Sequence, residues 1–359
     1  MKRLLVGGAG GTPSNNFIQS IRDSSEKLFI IGMTSDPYDL CKADVDKRHL
    51  IPNAKEKDYY SILEEIISEN KPEFIHVQND FEVLAVSRFR NRLKKMNVIT
   101  CLPKHESVKN CINKLKSWEI WEKSEIKVPK SIIINDEHDL KEAFKNLGDT
   151  IWIRSIKGAA GNGALPTSNV DFAKSWIDYF NGWGKFMAAE YLSPTSVTWM
   201  SLWNKGELIV AQGRKRLNWA FNDRTLSGVT GITGTGVTVS DPLVDKISQK
   251  AILSIDSKPH GVWSVDMTYD SDGVPNPTEI NIGRFFTTSL FFTKLGLNMP
   301  YIYLKLAFDE ELPEIKKKIN PLPSDYAWIR GMDTEPVLTN MKKVSEYEND
   351  LKKRRNQYI

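Results

Sequence analysis

Apolar residues follow two rhythms along the first hundred positions. Leu4-Leu5-Val6, residues 28–31 and Phe74-Ile75-His76-Val77 are short runs of strand length. Ile62, Ile66 and Ile67 instead recur at helical spacing within residues 59–69, and a further helix is expected over about residues 15–23. Strands alternating with helices predict a parallel sheet with right-handed crossovers. The pattern changes near Pro103. Residues 110–123 read as one helix, closed by Val128-Pro129. Candidate strands at 131–134 and 150–153 flank an amphipathic helix carrying Leu140, Phe144 and Leu147. From 186 to 239 the pattern is strand-rich, with candidates at 197–203, 208–212 and 236–239. Residues 261–268 and 277–282 read as a hairpin turning at Asp272-Gly273. A helix is expected from about Thr288, then a polar tail from Pro313 with Trp328 and Ile329 as its anchors.

Composition narrows this α/β and α+β picture. A chain of 359 residues is too long for one small core and suits two or three packed subdomains. No apolar run approaches the roughly 20 residues needed to span a bilayer, and the run at the start breaks at Gly7-Gly8 too early for a signal-peptide core. The net charge of +4 is too small to imply nucleic acid. Cys41, Cys101 and Cys111 are odd in number and widely spaced, which argues against a disulfide framework or zinc site and fits reduced thiols in the cytoplasm. The basic run Lys352-Lys353-Arg354-Arg355 reads as a solvated helix end. The five histidines include no telling Ser-His-acid set.

Two glycine loops carry candidate chemistry. In the first, Gly7-Gly8-Ala9-Gly10-Gly11, a dinucleotide pattern starting at Gly8 fails because Pro13 takes the last glycine position, and no P-loop Gly-Lys-Ser/Thr follows. It reads as a tight strand-to-helix turn without nucleotide. In the second, Arg154 and Lys157 precede Gly158, Gly161 and Gly163; small residues let backbone approach phosphate oxygens and the cations offset their charge. The strongest local signal is Asp266 with Glu279-Ile280-Asn281. In a hairpin turning at Asp272-Gly273 the two acids face each other, and Glu279 and Asn281 share a side. Two carboxylates and an amide oxygen suit Mg²⁺ carried by a nucleotide; a polar hairpin with unrelated acids is the alternative. Arg284 either stabilises phosphoryl-transfer charge beside that site or caps the next helix. Glu190-Tyr191-Leu192 is either a purine-holding hinge or the end of a core strand, and Arg214-Lys215-Arg216 gains an anion-binding meaning only from context.

Taken in order over residues 1 to 310, these pieces resemble the ATP-grasp superfamily, in its carbamoyl-phosphate-synthase-like and biotin-carboxylase-like branch of carboxylate–amine ligases. Asn113-Lys114 is similar to the "DK" motif, with Asn113 in place of the acid. Residues 153–163 resemble the second phosphate-binding cation and the glycine-rich lid, and Glu190-Tyr191-Leu192 the adenine hinge. Arg214-Lys215-Arg216 with Gly228-Val229-Thr230-Gly231 resembles the "RKR" stretch. Asp266, Glu279 and Asn281 match the magnesium ligands, and Arg284 is similar to the arginine of "EINPR", with one additional residue before it. Residues 193–201 depart from the family in lacking the acid that binds ribose.

The resemblance implies a Rossmann-like domain preceding ATP-grasp (1–110), a small lid subdomain (111–190), a large β-rich subdomain with the metal site (191–312) and an extension packing on the body (313–359). It implies ATP and Mg²⁺ as cofactors, and ligation of a small-molecule carboxylate to an amine, or a thiol, through an acyl phosphate with release of ADP and phosphate. Candidate substrates are an amino acid, a peptide end or a sugar acid. Lys114, Arg154 and Lys157, with Gly158 and Gly161, would hold phosphates; Glu190 and Leu192 the base; Arg216 and Arg284 would face the transferred group. A homodimer is the family-level expectation. Two alternatives are a catalytically degenerate ATP-binding regulatory or scaffold protein, motivated by Asn113 and the absent ribose acid, and an NAD-linked enzyme, against which Pro13 counts.

Overall fold

The computed structural model describes residues 1–157, 161, 163–331 and 341–357. Its first sheet is parallel and built from β1 (Lys2–Gly7), β2 (Leu28–Thr34), β3 (Lys47–Leu50) and β4 (Phe74–His76), in the order β3-β2-β1-β4. The connecting helices are α1 (Thr12–Arg22), α2 (Pro37–Lys42) and α3 (Tyr59–Asn70), with α4 (Asp80–Lys95) after the last strand. Leu4, Leu5 and Val6 are all fully buried, which is why β1 reads as a continuous apolar run: helices cover both faces of a parallel sheet. Helix α1 starts three residues before the expected position, because Pro13 fits the first turn, where its missing N–H costs nothing. Gly10, at φ +89°, lies so close to the Asp39 carbonyl that a Cβ has no room.

The helix expected over 110–123 is two helices, α5 (His105–Ile112) and α6 (Lys114–Lys123). Asn113 between them is extended, at φ −94° and ψ 101°, and its side chain accepts from the Lys116 N–H at 3.2 Å. Helical periodicity does not reveal this break, because Asn113 leaves the helix to cap the next one and to bridge to Lys157. Both helices lie on the large sheet described below. Trp118 Nε1 donates to the Thr278 carbonyl at 2.9 Å and Trp121 Nε1 to that of Ala251 at 3.1 Å.

The small sheet is antiparallel, in the order β5-β8-β6-β7, from β5 (Ser131–Ile134), β6 (Ile151–Ser155), β7 (Leu165–Thr167) and β8 (Phe186–Glu190). Helices α7 (Glu137–Leu147) and α8 (Val170–Tyr179) cover one face and build a core of its own around Ile134, Leu140, Ile153, Ile177 and Phe186. The large sheet runs β13-β12-β9-β10-β11-β14: β9 (Ser196–Asn204), β10 (Glu207–Trp219), β11 (Thr233–Val239), β12 (Gly261–Tyr269), β13 (Pro275–Ile282) and β14 (Ala327–Ile329). Between β11 and β12 comes α9 (Pro242–Ile255), and after β13 come α10 (Ser289–Lys294) and α11 (Met299–Ala307). The expected β12–β13 hairpin is present, with Gly273 at φ +75° in its turn. The mixed α/β and α+β class is as expected.

Two expectations for the tail are corrected. Trp328 anchors β14, stacking on Phe291 at 5.8 Å, but Ile329 points to solvent and is 79% exposed, because the two alternate across an edge strand. The basic run, at the end of α12 (Met341–Arg355), is only half solvated. Lys352 and Lys353 are exposed, whereas Arg354 is buried against Glu65 and Glu69 of α3, and Arg355 reaches Glu56 and Asp58. No described helix is long and apolar enough to cross a membrane.

Candidate active site

Hairpin register builds the centre of the site. Asp266 on β12 stands directly opposite Glu279 on β13, and β9 places Thr198 on the other side of Asp266. The Thr198 hydroxyl donates to Asp266 Oδ1 at 2.5 Å, and Asn281 Nδ2 donates to Asp266 Oδ2 at 2.9 Å. Glu279 Oε2 accepts from Arg154 Nη2 at 2.8 Å and lies 3.3 Å from Lys114 Nζ. Three parts of the chain thus meet at one carboxylate: β13, the small sheet through Arg154 on β6, and the start of α6 through Lys114. Burial opposes charge on Glu279, but the nearby Lys114 and Arg154 cations outweigh it and hold the carboxyl at about 2. Burial lowers the Lys114 ammonium, with Glu279 opposing.

These groups line a cavity of about 730 Å³ that extends from the first domain across to the small and large sheets. Asp266, Glu279 and Asn281, the residues expected to hold a metal, are joined there by Lys114, Arg154 and Gly161, by Glu190 and Leu192 of the expected hinge, and by Arg216 and Arg284. The hinge pairs with the start of the small sheet: Glu190 N–H donates to the Lys130 carbonyl at 2.9 Å and its carboxylate accepts from the Lys130 N–H at 3.3 Å. Beside it Trp152 and Tyr191 stack at 6.4 Å in the cavity wall. Lys157 is exposed and is not part of the cavity wall. Gly158 lies outside the described residues.

Arginines dominate the remaining wall. Arg214 is 1% exposed, and its partners are three hydroxyls: Thr233 at 2.8 Å, Thr288 at 3.0 Å and Thr198 at 2.7 Å. Burial, with Arg216 nearby, pulls the Arg214 guanidinium down to about 9. Arg216 donates to Thr233 and Ser196 and lies 3.6 Å from the centre of the Trp219 ring, and burial lowers it too. Arg284 bonds Asn281 and Asp80. Burial opposes its charge, but Asp80, together with Glu279 and Asp266, raises it.

Single residues far apart in sequence were not legible as site members: Thr198, Gln78 and Asp80. Arg214 carried a signal, because residues two apart on a strand share a face and Arg216 was already implicated. The oxygen donors Asp266, Glu279 and Asn281 fit Mg²⁺, which takes one or two carboxylates and completes its shell with phosphates and water. Among the described residues no group of three or more His, Cys, Asp or Glu side chains forms an all-protein metal cage. The set therefore suits a cation that arrives with part of its own shell.

No family model and no curated protein matches the sequence. Solved structures match the fold. Carboxyaminoimidazole ribonucleotide synthase from Aspergillus clavatus, complexed with ATP, aligns at 15% identity over 87% of this chain and 78% of its own, with a TM-score of 0.66. The biotin carboxylase domain of 2-oxoglutarate carboxylase from Hydrogenobacter thermophilus, in complex with MgADP, ADP and bicarbonate, aligns at 14% identity over 91% and 73%, with a TM-score of 0.68. L-amino acid ligase from Bacillus licheniformis aligns at 11% identity over 86% and 74%, with a TM-score of 0.64. A parallel domain, a small antiparallel sheet and a large sheet, closing on one cavity, give this chain the ATP-grasp fold that those proteins share.

Proposed function

We propose that the protein is an ATP-dependent carboxylate–amine ligase acting through an acyl phosphate. The observation that carries this is the meeting of Arg154, Lys114 and Glu279 beside Asp266, inside a cavity large enough for a nucleotide and a small substrate. The reaction is in two steps. A substrate carboxylate oxygen attacks the γ-phosphorus of ATP, the bond to the β–γ bridging oxygen breaks, and ADP leaves. An amine nitrogen then attacks the acyl carbon, loses a proton, and phosphate leaves with the acyl–oxygen bond electrons.

Such chemistry depends on positioning and on compensating charge rather than on a protein nucleophile. Asp266, Glu279 and Asn281 would hold Mg²⁺, which when bound neutralises phosphate charge. Lys114 and Arg154 exchange the Glu279 carboxylate for phosphate oxygens. The Glu190–Leu192 hinge and the Trp152–Tyr191 pair receive the base. Arg216 and Arg284 face the transferred phosphoryl group. Lys157 is proposed to meet phosphate once the nucleotide is bound. The ligands of the similar structures, ATP, MgADP and bicarbonate, support this reading. An amino acid, peptide end or sugar acid remains the proposed substrate class, with a homodimer as the proposed assembly.

Titration with a non-hydrolysable ATP analogue, with and without Mg²⁺, tests the site. Binding is expected to require Mg²⁺ and to weaken in Glu279→Gln, and ADP release with a carboxylate and amine panel is expected to fall at least 100-fold in that variant, about 3 kcal/mol in the barrier. Nucleotide binding without ADP release from any pair would favour a degenerate binding protein instead. Wild-type turnover in Glu279→Gln would remove the metal assignment.

A further inference from the structure

The loop before α4 and the turn after β13 touch residue by residue. Gln78 Oε1 accepts from the Phe285 N–H at 2.9 Å, while its Nε2 donates to the Pro13 carbonyl in the first turn of α1 at 3.1 Å. Two residues on, Asp80 accepts from Arg284 Nε at 2.6 Å and, at a longer 3.4 Å, from its Nη2. Gly283 makes the approach possible. It adopts φ +72°, and a Cβ there would stand 2.8 Å from Val83 Cγ1 on α4. The additional residue in Glu-Ile-Asn-Ile-Gly-Arg is thus the bend that turns Arg284 back toward its own strand. The ion pair is sheltered, with 14% and 19% side-chain exposure. Arg284 Nη2 also donates to Asn281 Oδ1, and the Asn281 amide nitrogen is bonded to Asp266.

We propose that Asp80, from the first domain, is a positioning residue for the metal set and acts through Arg284. The proposal rests on the ATP-site reading above. A guanidinium held by a carboxylate on its Nε side has a fixed plane, so its other edge can orient the Asn281 amide rather than swing toward solvent. Asn281 then keeps one orientation relative to Asp266. The partners are 204 residues apart, so this geometry exists only when the first domain is docked on the large sheet. The metal set is complete only in the assembled molecule, and Gln78 ties the same turn to the start of α1.

A double-mutant cycle on metal affinity tests this without knowledge of the substrate. Mn²⁺ binding in the presence of ADP is measured by electron paramagnetic resonance for the wild type, Asp80→Ala, Arg284→Ala and the double variant. Loss of an outer partner of a metal ligand typically costs 10–100-fold in affinity. Asp80→Ala is expected to weaken Mn²⁺ about tenfold in the wild-type background, and by no more than about twofold once Arg284 is alanine. Losses that simply add, or an Asp80→Ala variant that binds as the wild type does, overturn the proposal. Should Asp80→Ala fail to fold, Asp80→Asn runs the same cycle with the side-chain shape kept. A wild type that binds no Mn²⁺ with ADP overturns the ATP-site reading itself, an outcome distinct from a failed cycle.

Discussion

Thr198 stands opposite Asp266 on the neighbouring strand and donates its hydroxyl to one carboxylate oxygen at 2.5 Å, while Arg214 donates to that same hydroxyl at 2.7 Å. The buried arginine thus fixes the direction of the threonine proton, and the threonine fixes Asp266. Thr198→Val keeps the shape and removes the relay. It leaves both a guanidinium N–H and a carboxylate oxygen without a partner, a loss of about 1–3 kcal/mol in stability. Mg²⁺-dependent binding of an ATP analogue, followed by calorimetric titration, is expected to weaken about tenfold. Unchanged binding would mean that Asp266 is held by Asn281 alone.

Glu279 gives a pH dependence with a definite sign. Its carboxyl is held at about 2 in the folded chain, against an ordinary 4.5. A depressed carboxyl stabilises the fold above its unfolded pKa, and the contribution is lost as pH falls from about 4.5 toward 2. Glu279→Gln is therefore expected to be less stable than the wild type at pH 7 by about 1–3 kcal/mol, less than a fully buried pair because the side chain keeps 28% exposure. Urea unfolding at pH 7 and pH 3 checks this: the gap between the two proteins should shrink at the lower pH.

Glu82 has the opposite sign. Burial raises its carboxyl to about 8, with the Asn79 hydrogen bond opposing. The folded state then keeps a proton that the unfolded state releases, so stability falls as pH rises between about 4.5 and 8. Glu82→Gln should remove this dependence. It is expected to match the wild type near pH 4 and to exceed it at pH 8 by a few kcal/mol at most, one pKa unit being worth about 1.4 kcal/mol. Parallel melting curves at the two pH values that track each other would refute the assignment.

Gly10 cannot become alanine without moving Asp39. Its φ of +89° is unfavourable for any residue with a Cβ, and the added carbon would run into the Asp39 carbonyl. Gly10→Ala is expected to cost about 2 kcal/mol or more in denaturant unfolding, whereas Gly148→Ala, at φ +115° but with open space around it, should cost less. Equal losses would show that conformation, and not the contact, decides.

The hairpin was legible because two rules coincide there: strand period sets Glu279 and Asn281 on one face, and Asp-Gly sets the turn that brings Asp266 across. The parallel domain was legible because buried strands read as unbroken apolar runs, as in Leu4-Leu5-Val6. Asn113 was misread as helix interior, since a capping side chain leaves the apolar period of its surroundings intact. Ile329 was misread as an anchor, since an edge strand shows its hydrophobic residues to solvent as readily as to the core. Asp80 had no local signal at all. Its meaning comes from a contact between residues 204 positions apart, which no window of sequence contains.

The tail has a mechanical consequence. β14 is hydrogen-bonded to β11 at one edge of the large sheet, and α12 is ion-paired through Arg354 to α3 of the parallel domain. The described parts of the tail are therefore fastened to both bodies, β14 by strand pairing and α12 by ion pairs. The small sheet, with a separate core under α7 and α8, is outside this bracing. The molecule is a frame tied at its end, with one leaf held through contacts such as Arg154–Glu279; under the proposed function, admitting and releasing a nucleotide is the work expected of that leaf.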